Sequence, residues 1–66
     1  MLKIITSTND SLHGHVLRKK YLNKGDLIII KKLDGRKKRF RIEHIQKTKD
    51  GYVIKDSHNT LVLRDE

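Results

Sequence analysis

Short apolar and β-branched runs alternate with turn residues along the whole chain. They predict strands at residues 2–8, 15–19, 27–33, 36–46, 52–56 and 60–64. Residues 12–22 are ambiguous, because their apolar positions form neither a helical stripe nor a clean alternation, and one short helical turn is the alternative there. Short strands at regular spacing predict an all-β fold: a single domain over residues 1–66 that forms a small five- or six-stranded antiparallel barrel.

Residues 22–30, "LNKGDLIII", place a Gly-Asp turn directly before an apolar strand. This arrangement resembles an element that recurs in small barrels of the Src-homology-3, KOW and OB types. The resemblance implies a Src-homology-3-like or OB-like barrel, and it assigns no functional residue.

The Asp-Gly pair at residues 34 and 35 is a strong hairpin signal, because a type I′ turn requires positive φ at both central residues. A two-residue turn there would pair Ile29 with Phe40 and would give a core face of Leu27, Ile29, Phe40 and Ile42. The opposite face would then carry Ile28, Ile30, Lys32, Lys37, Arg39 and Arg41. The alternation slips after Ile42, since Ile45 has the other parity, and a bulge there would rearrange these faces.

Positive charge is concentrated in the middle of the chain. The formal net charge is +8, and residues 18–41 hold eleven Lys or Arg against two Asp, a net +9, so the remainder carries −1. Such segregation produces a directional electrostatic field and favours an anionic partner. The predicted contact residues are Arg18, Lys19, Lys20, Lys24, Lys32, Arg36, Lys37, Lys38, Arg39 and Arg41, with Lys31 beside them.

Two simpler explanations of these charges remain open. Another strand could cover Ile28 and Ile30 and leave the cationic tips merely solvated. The cluster at residues 18–20 could be a charged edge strand that resists association between sheet edges.

Aromatic residues are few. Phe40 falls on the predicted core face, Tyr52 is predicted to be structural, and Tyr21 is the candidate for an exposed stacking residue. Modules that read single strands by stacking usually expose several aromatic side chains. If nucleic acid is the ligand, we therefore expect phosphate contacts to dominate.

Histidines are the main candidates for catalysis or metal binding. His13 and His15 would point the same way on a strand, but two ligands are too few for a zinc site, so we predict no metal and no cofactor. A nuclease that uses His13, His15 or His44 together with lysines as general base and acid is a further hypothesis. No pair of carboxylates has the spacing of an acid/base couple or a two-metal centre, and we favour a non-enzyme.

The sequence thus predicts a non-catalytic module that binds DNA or RNA mainly through phosphates. The alternative is a small adaptor or inhibitor, for example one encoded by a phage, that docks its basic face on an acidic protein surface. Pairing of residues 2–8 as an edge strand would give a homodimer. The absence of cysteine, of a long apolar run and of a signal-peptide pattern predicts a cytoplasmic protein without membrane contact.

Overall fold

The chain forms seven strands and no helix in a computed structural model that describes residues 1–66. The all-β prediction is confirmed, but the strand count is seven instead of five or six, because the single strand expected over residues 36–46 is two. Every hydrogen-bonded pair of neighbouring strands is antiparallel. The strands are β1 (Leu2–Ser7), β2 (Gly14–Val16), β3 (Leu27–Lys32), β4 (Lys37–Arg41), β5 (His44–Lys47), β6 (Gly51–Lys55) and β7 (Thr60–Asp65).

All seven strands belong to one curled, half-barrel sheet in the order β4-β3-β2-β1-β7-β6-β5. Two meanders, β1 to β4 and β5 to β7, are joined by the pairing of β1 with β7. The first strand is therefore the central one, hydrogen-bonded on both sides. The expectation that residues 2–8 form an edge strand available for a homodimer is wrong.

The two edge strands, β4 and β5, are connected by a sharp corner at Ile42 and Glu43. Ile42 still belongs to the first meander, since its amide donates to the Asp26 carbonyl at 2.9 Å and its carbonyl accepts from the Gly25 amide at 2.7 Å. The Glu43 amide already donates to the Lys55 carbonyl on β6, at 2.9 Å. The chain changes partners between these two residues, which is the physical cause of the parity slip after Ile42.

The inner side of the sheet encloses a core of apolar residues. The hydroxyl of Tyr52 accepts a hydrogen bond from the Leu22 amide at 3.4 Å, which ties the loop before β3 to the core. No buried side-chain polar atom lacks a partner. The structural roles predicted for Phe40 and Tyr52 are confirmed. The core consists of Leu2, Ile4, Leu12, Val16, Leu22, Ile28, Ile30, Phe40, Ile42, Tyr52, Ile54, Leu61 and Leu63.

The β3–β4 hairpin has a three-residue loop, and its register differs by one residue from the prediction. The Gly35 amide donates to the Lys32 carbonyl at 2.9 Å, and the Lys32 amide donates to the Arg36 carbonyl at 2.7 Å. Gly35 has φ 89°, as expected of a type I turn followed by a glycine bulge. Ile28 consequently pairs with Phe40.

A shift of one residue exchanges the two faces of a strand. The predicted burial of Leu27 and Ile29 is wrong: Ile28 and Ile30 are in the core, Leu27 is 46% exposed and Ile29 is half-buried. Only Phe40 and Ile42 keep the core positions predicted for them.

Candidate functional site

The outer face of β2, β3 and β4, which is the side of the sheet turned away from the core, combines cationic and apolar side chains. Across the hairpin, Leu27 pairs with Arg41, Ile29 with Arg39, and Lys31 with Lys37. The predicted grouping of Lys37, Arg39 and Arg41 on one face is what the structure has. Their apolar neighbours, however, are Leu27 and Ile29 in place of the predicted Ile28 and Ile30.

The remaining cations of the hairpin do not belong to this outer face. Strand alternation places Lys32 and Lys38 on the opposite side, and Arg36 flanks the turn. The expectation that the outer face includes Lys32 is therefore wrong, and Lys31 takes its place. The cations of the hairpin divide between two directions instead of sharing one.

Five basic side chains from successive strands form a continuous line across the outer face. The register pairs Lys37 with Lys31, Lys31 with His15, His15 with Lys3, and Lys3 with Arg64. We call these five residues the cationic row after its four Lys and Arg members, since His15 counts as neutral in the formal net charge. With strands about 4.8 Å apart, four steps extend over about 19 Å. The row runs from edge strand β4 to the middle of the sheet.

Carboxylates neutralise little of the basic block at residues 18–41. Asp26 accepts a hydrogen bond from the Asn23 amide at 2.9 Å, and Asp34 accepts one from the Arg36 amide at 2.9 Å, so both mainly cap turns. Their ion pairs are long, 3.4 Å to Lys19 and 3.9 Å to the Arg36 side chain. The other nine cations of the block have no carboxylate within 4.0 Å.

At its inner end the cationic row has an intramolecular counterion. Glu66 contacts Arg64 at 2.7 Å and Lys3 at 3.8 Å. The hydrogen bond from Arg64, followed by the positive charge of Lys3, holds the pKa of the Glu66 carboxyl below its usual value. The half of the row on β3 and β4 has no such partner.

A groove of about 590 Å³ lies beside the outer half of the row. Its floor contains Leu17, Leu27 and Ile29, and the Leu17 amide donates to the Ile29 carbonyl at 2.8 Å, which extends the β2–β3 ladder by one residue. Cationic residues surround this floor, including both residues of the 18–19 pair and the first three residues of β4. They are Arg18, Lys19, Lys37 and Arg39; Lys38 also lines the groove, although strand alternation starts its side chain on the opposite side of β4.

Two arginines at this site have constrained positions. Arg18 is the one residue other than glycine with a left-handed backbone, at φ 61°. It ends the strand predicted over residues 15–19, which in the structure stops at Val16. The Arg41 guanidinium donates to the Gly25 carbonyl at 3.2 Å, which fixes the turn before β3 to the edge strand.

The rest of the predicted contact set lies away from the groove. Lys20 and Tyr21, the latter 78% exposed, line a separate depression together with Lys47 and Lys49. Lys24 is exposed in the turn before β3 and forms no ion pair. The predicted residues are thus dispersed. Arg18, Lys19, Lys37, Lys38 and Arg39 line the groove, Lys20 and Tyr21 line the separate depression, and the others line neither.

The histidines are not brought together. β2, which carries His15, and β5, which carries His44, are separated by three strands in the sheet order. No group of three or more His, Asp or Glu side chains is close enough to hold a metal ion. His15 is instead a member of the cationic row, a role that sequence reasoning missed.

Sequence reasoning also missed Lys3 and Arg64, since both lie outside the basic block. Only the pairing of β1 with β2 and β7 brings them into line with Lys31. No signal local to either residue indicates this.

The fold and the site together define a small all-β protein with one strongly basic sheet face. Comparisons with protein-family models, with curated proteins and with solved structures find no match to this chain. The chain also forms no helix with the length and apolar character needed to span a membrane.

Proposed function

We propose that this chain is a non-catalytic nucleic-acid-binding module that contacts phosphates through the outer face of β2, β3 and β4. The observation that carries the proposal is the outer half of the cationic row, where Lys37 and Lys31 lie directly opposite each other on one face without a carboxylate partner. Like charges directly opposite each other on neighbouring strands are destabilising. A polyanion that bridges them would relieve this repulsion.

The chemistry of the surrounding side chains also suits a phosphate backbone. Arg39 offers a planar fork that can bind phosphate through two hydrogen bonds, while Lys31 and Lys37 act as point charges. Contacts of this kind position a nucleic acid without reading its sequence. The proposal therefore concerns affinity through charge and not sequence specificity.

Salt titration of binding to a labelled duplex and to a labelled single strand tests the proposal. Each phosphate neutralised contributes about −0.9 to the slope of log K against log salt on duplex DNA and about −0.7 on single strands. The double variant Lys31→Gln/Lys37→Gln should therefore flatten the slope by about 1.8 on duplex and about 1.4 on single strands. Affinity should fall alike for unrelated sequences.

The single variant Lys55→Gln is the matched control for Lys37→Gln, because each removes one charge from an exposed lysine and Lys55 lines neither the groove nor the depression beside Tyr21. Lys55→Gln should change the slope by much less than Lys37→Gln. A slope near zero for the wild type, or equal slopes for both variants, contradicts the proposal.

The second candidate function is docking on an acidic protein surface. The groove supports it, since an apolar floor with a charged rim is also the arrangement of a protein–protein interface. Affinity purification from lysate treated with nuclease separates the two functions. A stoichiometric acidic protein retained after this treatment, and released by Leu27→Asp, would favour docking over nucleic-acid binding.

A further inference from the structure

We propose that the groove between β2 and β4 takes one unstacked base of a single-stranded nucleic acid, while the neighbouring phosphates lie on the cationic row. This inference rests on the proposed function and narrows its ligand from nucleic acid in general to single strands. The occupant is identified by the combination of an apolar floor and a cationic rim in one depression.

The floor supplies a surface that a phosphate backbone does not use. Leu17 and Ile29 are adjacent across the β2–β3 ladder, and Leu27 lies two residues further along β3 on the same face. Leu27 remains 46% exposed, whereas most aliphatic residues of β3 and β7 are covered. Covering an exposed aliphatic surface with a flat, weakly hydrated ring is favourable, because it removes apolar area from water.

The rim places cations where both parts of a nucleotide need them. Arg39 pairs with Ile29, so its side chain starts beside the floor, where a guanidinium can stack on a base. Lys37, two residues along β4, belongs to both the rim and the row. A single-stranded nucleic acid that runs along β4 would therefore contact the groove with a base and the cationic row with the neighbouring phosphate.

The groove suits a base and not a duplex. Its volume of about 590 Å³ lies within the range of roughly 300–1,000 Å³ that small ligands occupy. In a duplex the bases are stacked on each other and present only their edges, whereas single strands can splay a base onto a protein surface. A duplex could use the row but would leave the floor uncovered.

The test compares three polyanions: a short oligothymidylate, a duplex of the same length, and inorganic polyphosphate, each titrated at the same salt concentration. Leu27→Ser should weaken oligothymidylate binding about fivefold to tenfold, near the lower end of the range for losing a base stacked on an aromatic side chain, because Leu27 is aliphatic. The salt slope should stay the same, because no charge is removed. Leu27→Phe should strengthen oligothymidylate binding, because an aromatic ring is a better platform.

The matched controls are Ile5→Ser and Ile5→Phe, since Ile5 is an aliphatic residue of similar exposure, 42%, on β1 outside the groove. Neither control should change any affinity, and Leu27→Ser should leave the binding of duplex and polyphosphate unchanged. A preference for oligothymidylate that depends on residue 27 supports the inference.

Two other results would refute the base site, and only one of them would also refute the phosphate-binding function. Steep salt dependence with equal affinity for duplex and single strand, and no effect of either Leu27 variant, would refute the base site and leave the phosphate-binding function intact. Failure of all three polyanions to bind would refute both.

Discussion

Arg18 offers a substitution for which stability and binding should change in opposite directions. Its backbone is left-handed, with φ 61°, and its side chain is exposed at the rim of the groove without a carboxylate partner. Backbone strain of this kind tends to be kept where a side chain has a role. Arg18→Gly should therefore stabilise the fold and weaken nucleic-acid binding.

The size of the stability gain follows from two opposing terms. A left-handed backbone costs a residue with a Cβ about 1–2 kcal/mol, and glycine escapes this cost. Glycine has more freedom in the unfolded chain, which removes about 0.5–1 kcal/mol of that gain. At the midpoints of these two ranges, the net increase in the free energy of unfolding is about 0.75 kcal/mol. For a domain of this size, that raises Tm by about 3–6 °C.

Thermal unfolding and salt titration of oligonucleotide binding, carried out on the same preparations, measure the two effects. Arg18→Gln is the control, because it removes the same charge and keeps the side chain on a left-handed backbone. Both variants should flatten the salt slope by about 0.7–0.9, but only Arg18→Gly should melt higher. If the two variants have equal Tm values, the backbone at residue 18 is not strained and the reasoning fails.

The remaining predictions concern register, close packing and the acidic contact at the end of the row. Ile28→Ala should lower the free energy of unfolding by about 2–5 kcal/mol and Ile29→Ala by much less; urea titrations that give the reverse order would refute the register. Gly14→Ala should cost about 2–3 kcal/mol in the same assay, because a Cβ would overlap a backbone carbonyl of β3 and φ is 148°; an unchanged midpoint would contradict this packing. The hydrogen bond from Arg64 lowers the pKa of the Glu66 carboxyl in the folded protein. The ionised carboxyl therefore contributes its full stabilisation at a pH above the ordinary pKa of a glutamate, and this stabilisation is lost as the pH falls through the lower pKa of the folded state. Wild type should then melt higher than Glu66→Gln at neutral pH, with the difference disappearing in acid; a difference that grows in acid would have the wrong sign.

Turn chemistry and strand positions were predictable from sequence because they depend on neighbouring residues. The Asp-Gly pair does make the central hairpin, and the all-β class follows from the short β-branched runs. The loop length was not predictable, since an Asp-Gly pair fits a two-residue turn and also the last two positions of a three-residue loop with a glycine bulge. The structure has the second form.

The composition of β3 explains why its register cannot be predicted from sequence. Residues 27–30 are all aliphatic, so both faces of the strand offer apolar side chains and alternation there does not identify the core face. On β4 only Phe40 is apolar, which fixes its inner face in either register. The arginines were consequently assigned to the correct side and their apolar neighbours to the wrong one.

Pairings between distant segments lay beyond local reasoning. Lys3 and Arg64 enter the cationic row only because the first and last strands pair in the middle of the sheet. The slip of parity after Ile42 pointed to an irregularity, and the structure makes it the corner at which the chain leaves β3 and joins β6. The order of strands in a sheet is a global property, because it depends on which distant strands satisfy each other's backbone hydrogen bonds.

The observed register determines which apolar residues stand beside the cations of the basic face. With Ile28 and Ile30 outward, those two residues would have been the apolar neighbours of Arg41 and Arg39, and Leu27 and Ile29 would have been in the core. With Ile28 and Ile30 buried, Leu27 and Ile29 are free to meet Leu17 and form a floor next to Arg39. The register that buries Ile28 and Ile30 therefore also exposes Leu27 beside the cations, and this coupling is why Leu27, a residue with little part in stability, should decide between single strand and duplex.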